Sequence, residues 1–590
     1  MADHLLDPVG VAAVSEPAVG HESADPLHFP HERLLLLLVL LITFALYAGT
    51  LNFQFVYDDW PQIVRNPFLA SGAQVVKYFT SSVWSHVFGK TGNFYRPIFM
   101  SWLALNRWCF GLNPMGWHLT TVLLHVIDTY LVYVLARRLF RDGLLAVFAA
   151  AIFGVHAVHV ESVAWISGVT DPLVAVFMLT SFLCFLNYEQ RRVRMCLAAS
   201  LLLYGLALLS KEVAIVLPAI IVVYVAKQAR AQKADAVRPL LVPVLTFAAA
   251  TALYLVARRM ALSGFAQNDG QPLRYVLQVM PYAIVKYMGA LGAPVRLAVF
   301  HDPPDISGFA SLKFILPVLL IALVSYCVWR IARVSTASAV TMAWLVLPLV
   351  PALVGVALLE REEFVHDRYL YLPSVGFALL LAGSLRRWAT GRRLIFHIPL
   401  MQVAVMLALV TFYGSAAAWQ MAPWASNLLL YTQGVKQTSR SAIARDHLGT
   451  ELLAKGDSTN AFHYFEEAWR IDPHDWRTSF SLGVASYYAH RLPEAVHYLT
   501  AASELEPQNS NQYYFRGLSR MEMGQLDVAE ADLRKAIAIT NSSPDYYRAL
   551  GGLLERKGDQ PAAVQQYEMA LKLAPDDALS VHVRELRKEP

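Results

Sequence analysis

Charge is scarce in this chain of 590 residues: Asp, Glu, Lys and Arg together make up 16% of it, against about 25% in an ordinary soluble domain. Cysteine is scarcer still, with four in all. Cys109, Cys184, Cys196 and Cys327 lie in or beside apolar segments without paired spacing. They suggest neither a disulfide framework nor a zinc site, and read as small hydrophobes. Long runs of one charge sign are also missing. The 49 basic residues barely outnumber the 44 acidic ones, for a net charge of +5. The basic residues are scattered through short loops, so neither a nucleic-acid face nor a basic tail is indicated. What abounds is apolar: 56% hydrophobic residues and a mean hydropathy of +0.41, too greasy for a soluble protein of this length. The composition is that of a membrane protein.

Residues 1–32 are polar and suit a disordered tail. The apolar run after them resembles a signal-peptide core, but a signal peptide needs a short basic leader. This leader carries Asp3, Asp7, Glu16, Glu22, Asp25 and Glu32 before its first arginine, Arg33, so a retained first span is expected. Crossing the hydrocarbon core takes about 20 apolar residues, and a scan for such runs predicts about eleven helical spans between residues 33 and 420. They lie near 33–51, 117–136, 143–158, 172–188, 195–210, 213–226, 239–257, 312–329, 339–358, 370–386 and 395–415. With the N-terminus inside, the clusters Arg137–Arg138–Arg141, Arg191–Arg192–Arg194, Lys227–Arg230–Lys233–Arg238, Arg330–Arg333 and Arg386–Arg387–Arg392–Arg393 all fall on the cytoplasmic side, as the positive-inside rule asks. Only Arg258–Arg259 does not. Acidic residues gather on the other side: Asp58, Asp59, Glu161, Asp171, Glu212, Glu360, Glu362, Glu363 and Asp367. Topology does not require that, since Asp and Glu weigh little in it.

After a linker at 421–440 the pattern changes. Gly449, Gly483, Gly517 and Gly551 recur every 34 residues, and so do Ala461, Ala495, Ala529 and Ala563, and Ala468, Ala502, Ala536 and Ala570. Large residues follow suit at Phe465, Leu499, Leu533 and Tyr567. This is the period of the tetratricopeptide repeat, giving four repeats over 441–577 and a C-terminal tail at 578–590. The expected fold is therefore all-α: a polytopic helical bundle followed by a soluble solenoid. Such a stack offers a concave surface for peptides, with tyrosines such as Tyr513 and Tyr547 expected to be exposed. An odd number of spans puts it on the extracytoplasmic side, with the acidic loops.

Candidate chemistry lies in those outer loops. Asp58 and Asp59 follow the first span, where an adjacent acidic pair is ordinarily a solvated loop or a cap. Neighbours cannot share one face of a helix or strand, so the two would do different jobs, one as general base or acceptor orienter, the other held by a cation or a metal. His156 and His159 stand three apart. That spacing leaves open a divalent metal, two interfacial histidines beside Trp165, or imidazole donors to a sugar or phosphate. Lys211 and Glu212 sit between two apolar runs, as a snorkelling pair or as a cation awaiting an anionic lipid headgroup. Arg368 beside Tyr369 and Tyr371, and Arg96 beside Tyr95, are either phosphate ligands or interfacial anchors.

Five segments in order, "FVYDDWPQIVRNP", "YRPIFMSWLALNRWCFGLNPMGWHLTTVLLH", "VHAVHVESVAWISGVTD", "LALLSKE" and "DRYLYLPSVGF", followed by the repeats, resemble the transmembrane and TPR-containing O-mannosyltransferase family and its bacterial relatives. The resemblance covers about residues 33–577. Two motifs depart from the family's: His-Pro-Val-His reads His156-Ala157-Val158-His159, and Arg-Ala-Asp reads Val169-Thr170-Asp171, which leaves the sugar open.

The resemblance implies a GT-C glycosyltransferase. Such an enzyme moves a sugar, mannose in this family, from a polyprenyl-phosphate (dolichyl-phosphate type) carrier to a hydroxyl of a protein Ser or Thr, on the outer or periplasmic face of the membrane. It also implies that Asp58 or Asp59 is the catalytic carboxylate of an inverting single displacement. Arg96, Lys211 and Arg368 would hold the leaving phosphate, with His156 and His159 as auxiliary donors and Tyr95, Glu161, Asp171, Glu212 and Tyr369 in support. The repeats would hold the acceptor protein or another partner. Two other readings stand beside this one: a membrane-anchored scaffold for secretion or envelope assembly, and a glycosyltransferase acting on lipid or polysaccharide.

Overall fold

A computed structural model describes residues 31–69, 74–85, 93–231, 237–262, 271–295, 297–302, 304–358, 364–388, 394–395 and 397–587. The tail as far as residue 30 lies outside these, as do Lys233, Glu360, Glu362, Glu363, Arg392 and Arg393. Among the described residues the regular structure is helical apart from one short antiparallel ribbon, Leu394–Ile395 with Ile398–Pro399.

Eight helices among the described residues are long and apolar enough to cross a membrane: Glu32–Asn52, Pro114–Phe140, Ile166–Arg191, Glu212–Ala231, Leu241–Ala261, Leu312–Ala332, Thr336–Ala357 and Leu400–Ala425. Gly143–Val155 and Ala157–Ala164 form a broken crossing bent by 49°. The break falls at His156, whose extended backbone (φ −69°, ψ 128°) cannot continue a helix. The other two predicted spans are shorter helices, Arg194–Leu208 and Pro373–Trp388. At 1.5 Å per residue they reach roughly 23 Å, short of an about 30 Å hydrocarbon core. Eight full-length candidates, or nine with the bent pair, thus stand among the described residues beside these two shorter helices. Arg194–Leu208 packs along Ile166–Arg191, where the Ser200 and Ser181 hydroxyls meet at 3.1 Å, and leaves Leu202 exposed on its other side.

The basic loop ends meet on one face. The Arg138 guanidinium donates to Asn187 and Gln190, and Arg386 pairs with Asp142. Glu32, read as part of the polar tail, is instead buried, accepting from Tyr133 and Arg137.

In the repeat domain each periodic glycine has a physical cause. A Cβ on Gly449, Gly483, Gly517 or Gly551 would come within 2.6, 2.5, 3.0 and 2.5 Å of Phe465, Leu499, Leu533 and Tyr567 respectively. The two helices of each repeat therefore touch where one offers no side chain. Tyr547, expected to be exposed, is buried. Residues 421–440, expected as a linker, fold as a turn at Ala422–Ala425 and a helix at Asn427–Gln437 that packs on the bundle. A Cβ on Gly434 would meet Phe300 at 2.8 Å. Asp302 ties down the chain beyond by accepting from the Ser439 and Arg440 backbone N–H groups. The expected C-terminal tail is largely the helix Asp577–Leu586, which buries Val583 and Leu586 against the last repeat.

Candidate active site

The loop after the first span runs through Tyr57, whose φ of 53° lies in the left-handed region, costly for a bulky residue unless its surroundings impose it. They do: Asn427 accepts the Tyr57 N–H at 2.8 Å, and the ring lies among Trp165, Phe300 and His447. The backbone reversal sends the next two carboxylates in opposite directions. Asp59 is fully buried. Its Oδ2 accepts from the Val56 N–H at 3.0 Å, and its Oδ1 accepts from the Ser167 N–H at 2.8 Å and the Ser167 hydroxyl at 2.6 Å. Burial raises its pKa to about 7 despite these donors. Asp59 is thus held by the Val56 N–H of its own loop and by Ser167 at the start of the Ile166–Arg191 crossing.

Asp58 faces the other way and lines a cavity of about 480 Å³. Arg96, Lys211, Arg368 and Tyr369 line the same cavity. Arg96, Lys211 and Arg368 are each backed by one acidic residue. Arg96 forks onto Glu212 through Nε and Nη2, the latter at 2.8 Å. Lys211 Nζ lies 2.5 Å from Asp171. Arg368 pairs with Glu161 through its guanidinium, and through its backbone N–H at 2.9 Å. Those pairings account for Glu161, Asp171 and Glu212 among the gathered acids. Burial holds the Lys211 ammonium below its ordinary pKa, with Arg96 and Arg368 adding to the effect and Asp171 opposing it. The Arg368 guanidinium also lies over the Trp165 and Tyr369 rings at 5.3 and 5.4 Å.

Three expected contributors are elsewhere. His156 Nε2 hydrogen-bonds to the Leu291 carbonyl, Nδ1 accepts from the Val158 N–H, and the ring stacks on Tyr413. Both nitrogens are therefore engaged in the core. His159 is buried against Ser374, Phe153 and Tyr371. Tyr95 is buried, its hydroxyl donating to the Phe79 carbonyl. None of the three lines the cavity. The histidines sit at the joint of the broken crossing, where His156 meets the Val158 N–H and the Leu291 carbonyl and His159 Nε2 meets the Ser374 hydroxyl. No group of three or more His, Cys, Asp or Glu among the described residues is arranged to hold a metal ion.

The structure adds groups that sequence spacing did not reveal. The Tyr371 hydroxyl lies 2.8 Å from both Asp128 and His125, anchoring the segment that carries Arg368 to a membrane helix. Trp165 and Ser167 line the cavity, and so do Asp446, His447, Asp475 and Arg477 of the repeat domain. The repeat residues lie nearly four hundred positions from Asp58, so no local pattern could place them there.

Residues 96–260, which start at the cavity residue Arg96, match the family described as Dolichyl-phosphate-mannose-protein mannosyltransferase, and 514–578 match the tetratricopeptide repeat. Protein O-mannosyl-transferase TMTC3 of Mus musculus is 23% identical, covering 92% of this chain and 64% of that one. The chain is a homologue of the TMTC proteins. Protein O-mannosyl-transferase TMTC1 of Homo sapiens is 25% identical over 72% of this chain and 54% of its own length. Protein O-mannosyl-transferase Tmtc1 of Drosophila melanogaster reaches 32% over 30% of this chain and 20% of its own. The chain spans less than two thirds of the length of these relatives.

Proposed function

We propose that this protein transfers a sugar, mannose on the strength of its relatives, from a polyprenyl-phosphate carrier to a Ser or Thr hydroxyl of a protein on the extracytoplasmic face. The observation that carries this reading is the single cavity shared by Asp58 and the three backed cations. Asp58 takes the proton of the acceptor hydroxyl as its oxygen attacks the anomeric carbon. The bond from that carbon to the phosphate oxygen breaks, its electron pair leaves with the lipid phosphate, and the anomeric centre inverts. Arg96, Lys211 and Arg368 meet the charge that grows on the leaving group. Their carboxylate partners orient them without exhausting them, since an ammonium carries three N–H groups and a guanidinium five. Asp59, locked to Ser167, is a positioning residue that holds the turn carrying Asp58.

The test is transfer of labelled mannose from a synthetic polyprenyl-phosphate donor by the purified protein in nanodiscs, with peptide, glycolipid and polysaccharide acceptors in parallel. Donor turnover with peptide product is expected. Turnover only onto lipid or polysaccharide would reassign the acceptor, and no donor turnover with any acceptor would overturn the enzyme reading.

A further inference from the structure

A second cavity, of about 500 Å³, lies at the other end of the bundle. Helix Pro373–Trp388 starts just beyond Arg368 and, at 1.5 Å per residue, carries Arg386 and Arg387 roughly 20 Å from the Asp58 cavity, to the face where the basic loop ends meet. Both arginines line the second cavity, and Leu379, Leu380 and Gly383 line it deeper along the same helix. A charged rim thus sits above an apolar shaft, which Leu145 and Ile331 close from the facing helices. Asp142 is the one acid in this lining among the described residues. Its Oδ1 accepts from the Leu145 N–H and its Oδ2 from Arg386 Nε. Arg386 gives Nη1 to Gln402 and keeps the hydrogens of Nη2. Arg387 is exposed and has no ion pair among the described residues, so positive charge is left over at the rim.

The wall that carries Ile331 is the helix Leu312–Ala332, and none of its residues is buried. It packs chiefly on Leu273–Gly292 and Thr336–Val346, and Leu316, Leu319 and Leu323 stand exposed along it. In a bilayer such a span is surrounded largely by acyl chains, so the cavity at its end is reached from the lipid side. A Cβ on Gly383 would meet nothing within 4 Å among the described residues. Glycine weakens a helix interior, and close packing does not demand it here; its missing side chain leaves room in the cavity. The exposed Trp329 and Trp388 end the two helices on this face, at the depth where aromatic side chains of spans meet the headgroups.

We infer that this cavity binds an anionic phospholipid of the leaflet on the basic-loop side, with its phosphate on Arg386 and Arg387 and an acyl chain against Leu379, Leu380 and Ile331. Basic pockets between membrane helices suit such headgroups, because guanidinium groups match phosphate oxygens in paired hydrogen bonds. A soluble phosphate would engage the rim alone and leave the apolar shaft unused. The lipid joins Pro373–Trp388 to Leu312–Ala332, a span that the protein itself holds from one side. The site lies away from Asp58 and does not depend on the transfer reading.

The experiment takes the full chain into nanodiscs of phosphatidylcholine with a minority of phosphatidylglycerol and reads by native mass spectrometry the lipid that stays on the released protein. The parent should retain phosphatidylglycerol in preference to phosphatidylcholine. Arg387→Ala should cut that retention about fivefold, and Arg387→Lys should keep most of it. Gly383→Leu, whose side chain occupies the cavity, should abolish it. Thermal unfolding in phosphatidylcholine alone should match the parent in all three variants, and Arg387→Ala, altered at an exposed side chain, decides the matter should Gly383→Leu fold poorly. Retention unchanged in Arg387→Ala would overturn the site, as would equal retention of the two lipids by the parent. Displacement of phosphatidylglycerol by inorganic phosphate would overturn the lipid as occupant and leave a site for a soluble anion.

Discussion

The ring of His447, in the first repeat, meets the ring of Tyr57 edge-on, with centroids 5.8 Å apart and planes at 88°. His447 is in turn stacked on Tyr431 of the preceding helix. A repeat-domain residue therefore braces the left-handed residue that directs Asp58 into the cavity. His447→Ala should lower kcat about 10–100-fold through misplacement of the turn, with donor KM little changed. A double-mutant cycle with Tyr57→Ala should show coupling of about 0.5–1.5 kcal/mol. Additive effects on kcat would mean the contact is passive packing.

The two neighbouring aspartates should separate cleanly. Asp58→Asn keeps shape and removes the base, so transfer should fall about 10²–10⁴-fold at normal stability. In Asp59→Asn the new amide must point its NH₂ at a backbone N–H of Val56 or Ser167, costing about 1–3 kcal/mol of stability. Thermal unfolding and transfer rates measured on both variants check the assignment, and the reverse pattern would exchange the roles.

Asp59 also predicts a pH dependence. Its folded pKa is raised to about 7 by burial, above the ordinary carboxylate value. Between those two values the folded chain keeps a proton that the unfolded chain has lost, so stability falls as pH rises through that window. The Tm of the parent in nanodiscs should drop over this range, with the drop reduced in Asp59→Asn, which cannot titrate. An equal slope in both proteins would place the titration elsewhere.

Arg368→Ala removes a cavity cation and strands Glu161, which is 4% exposed at its side chain. Losing one partner of such a pair costs about 3–5 kcal/mol. Adding Glu161→Gln should restore most of the stability while donor binding stays weak, because the cation and not the pair meets the phosphate. Restored donor affinity in the double variant would make the pair purely structural.

The side of the membrane can be read directly. Ser510 is a poor reporter, being buried against Thr540 and Tyr546. Gln525 lies exposed at the start of a helix. In a background cleared of the four native cysteines, Gln525→Cys should react with a membrane-impermeant reagent in sealed right-side-out vesicles. Reaction only after lysis would put the repeats and the cavity in the cytoplasm.

Local chemistry made much of this legible in the sequence. The apolar runs identify the spans because crossing lipid demands length and little else. The 34-residue spacing identifies the repeats because Gly449 and Phe465 meet within one helical hairpin, close in the chain. Adjacency showed that Asp58 and Asp59 must diverge, since successive side chains cannot share a face. That Asp59 is the one turned inward depends on Ser167, 108 positions away, together with the left-handed Tyr57 and the Val56 N–H. The partners of the cations lie 40, 116 and 207 residues from them, so charge type was readable and pairing was not. His156 and His159 read as ligands because imidazole on paper is a donor and an acceptor. The fold engages them elsewhere: His156 takes the Val158 N–H and the Leu291 carbonyl, and His159 Nε2 meets the Ser374 hydroxyl. The repeat wall of the cavity had no signature at all: it exists because the helix at Asn427–Gln437 packs on the bundle and brings Asp446 and Arg477 over Asp58, a contact that only tertiary structure creates.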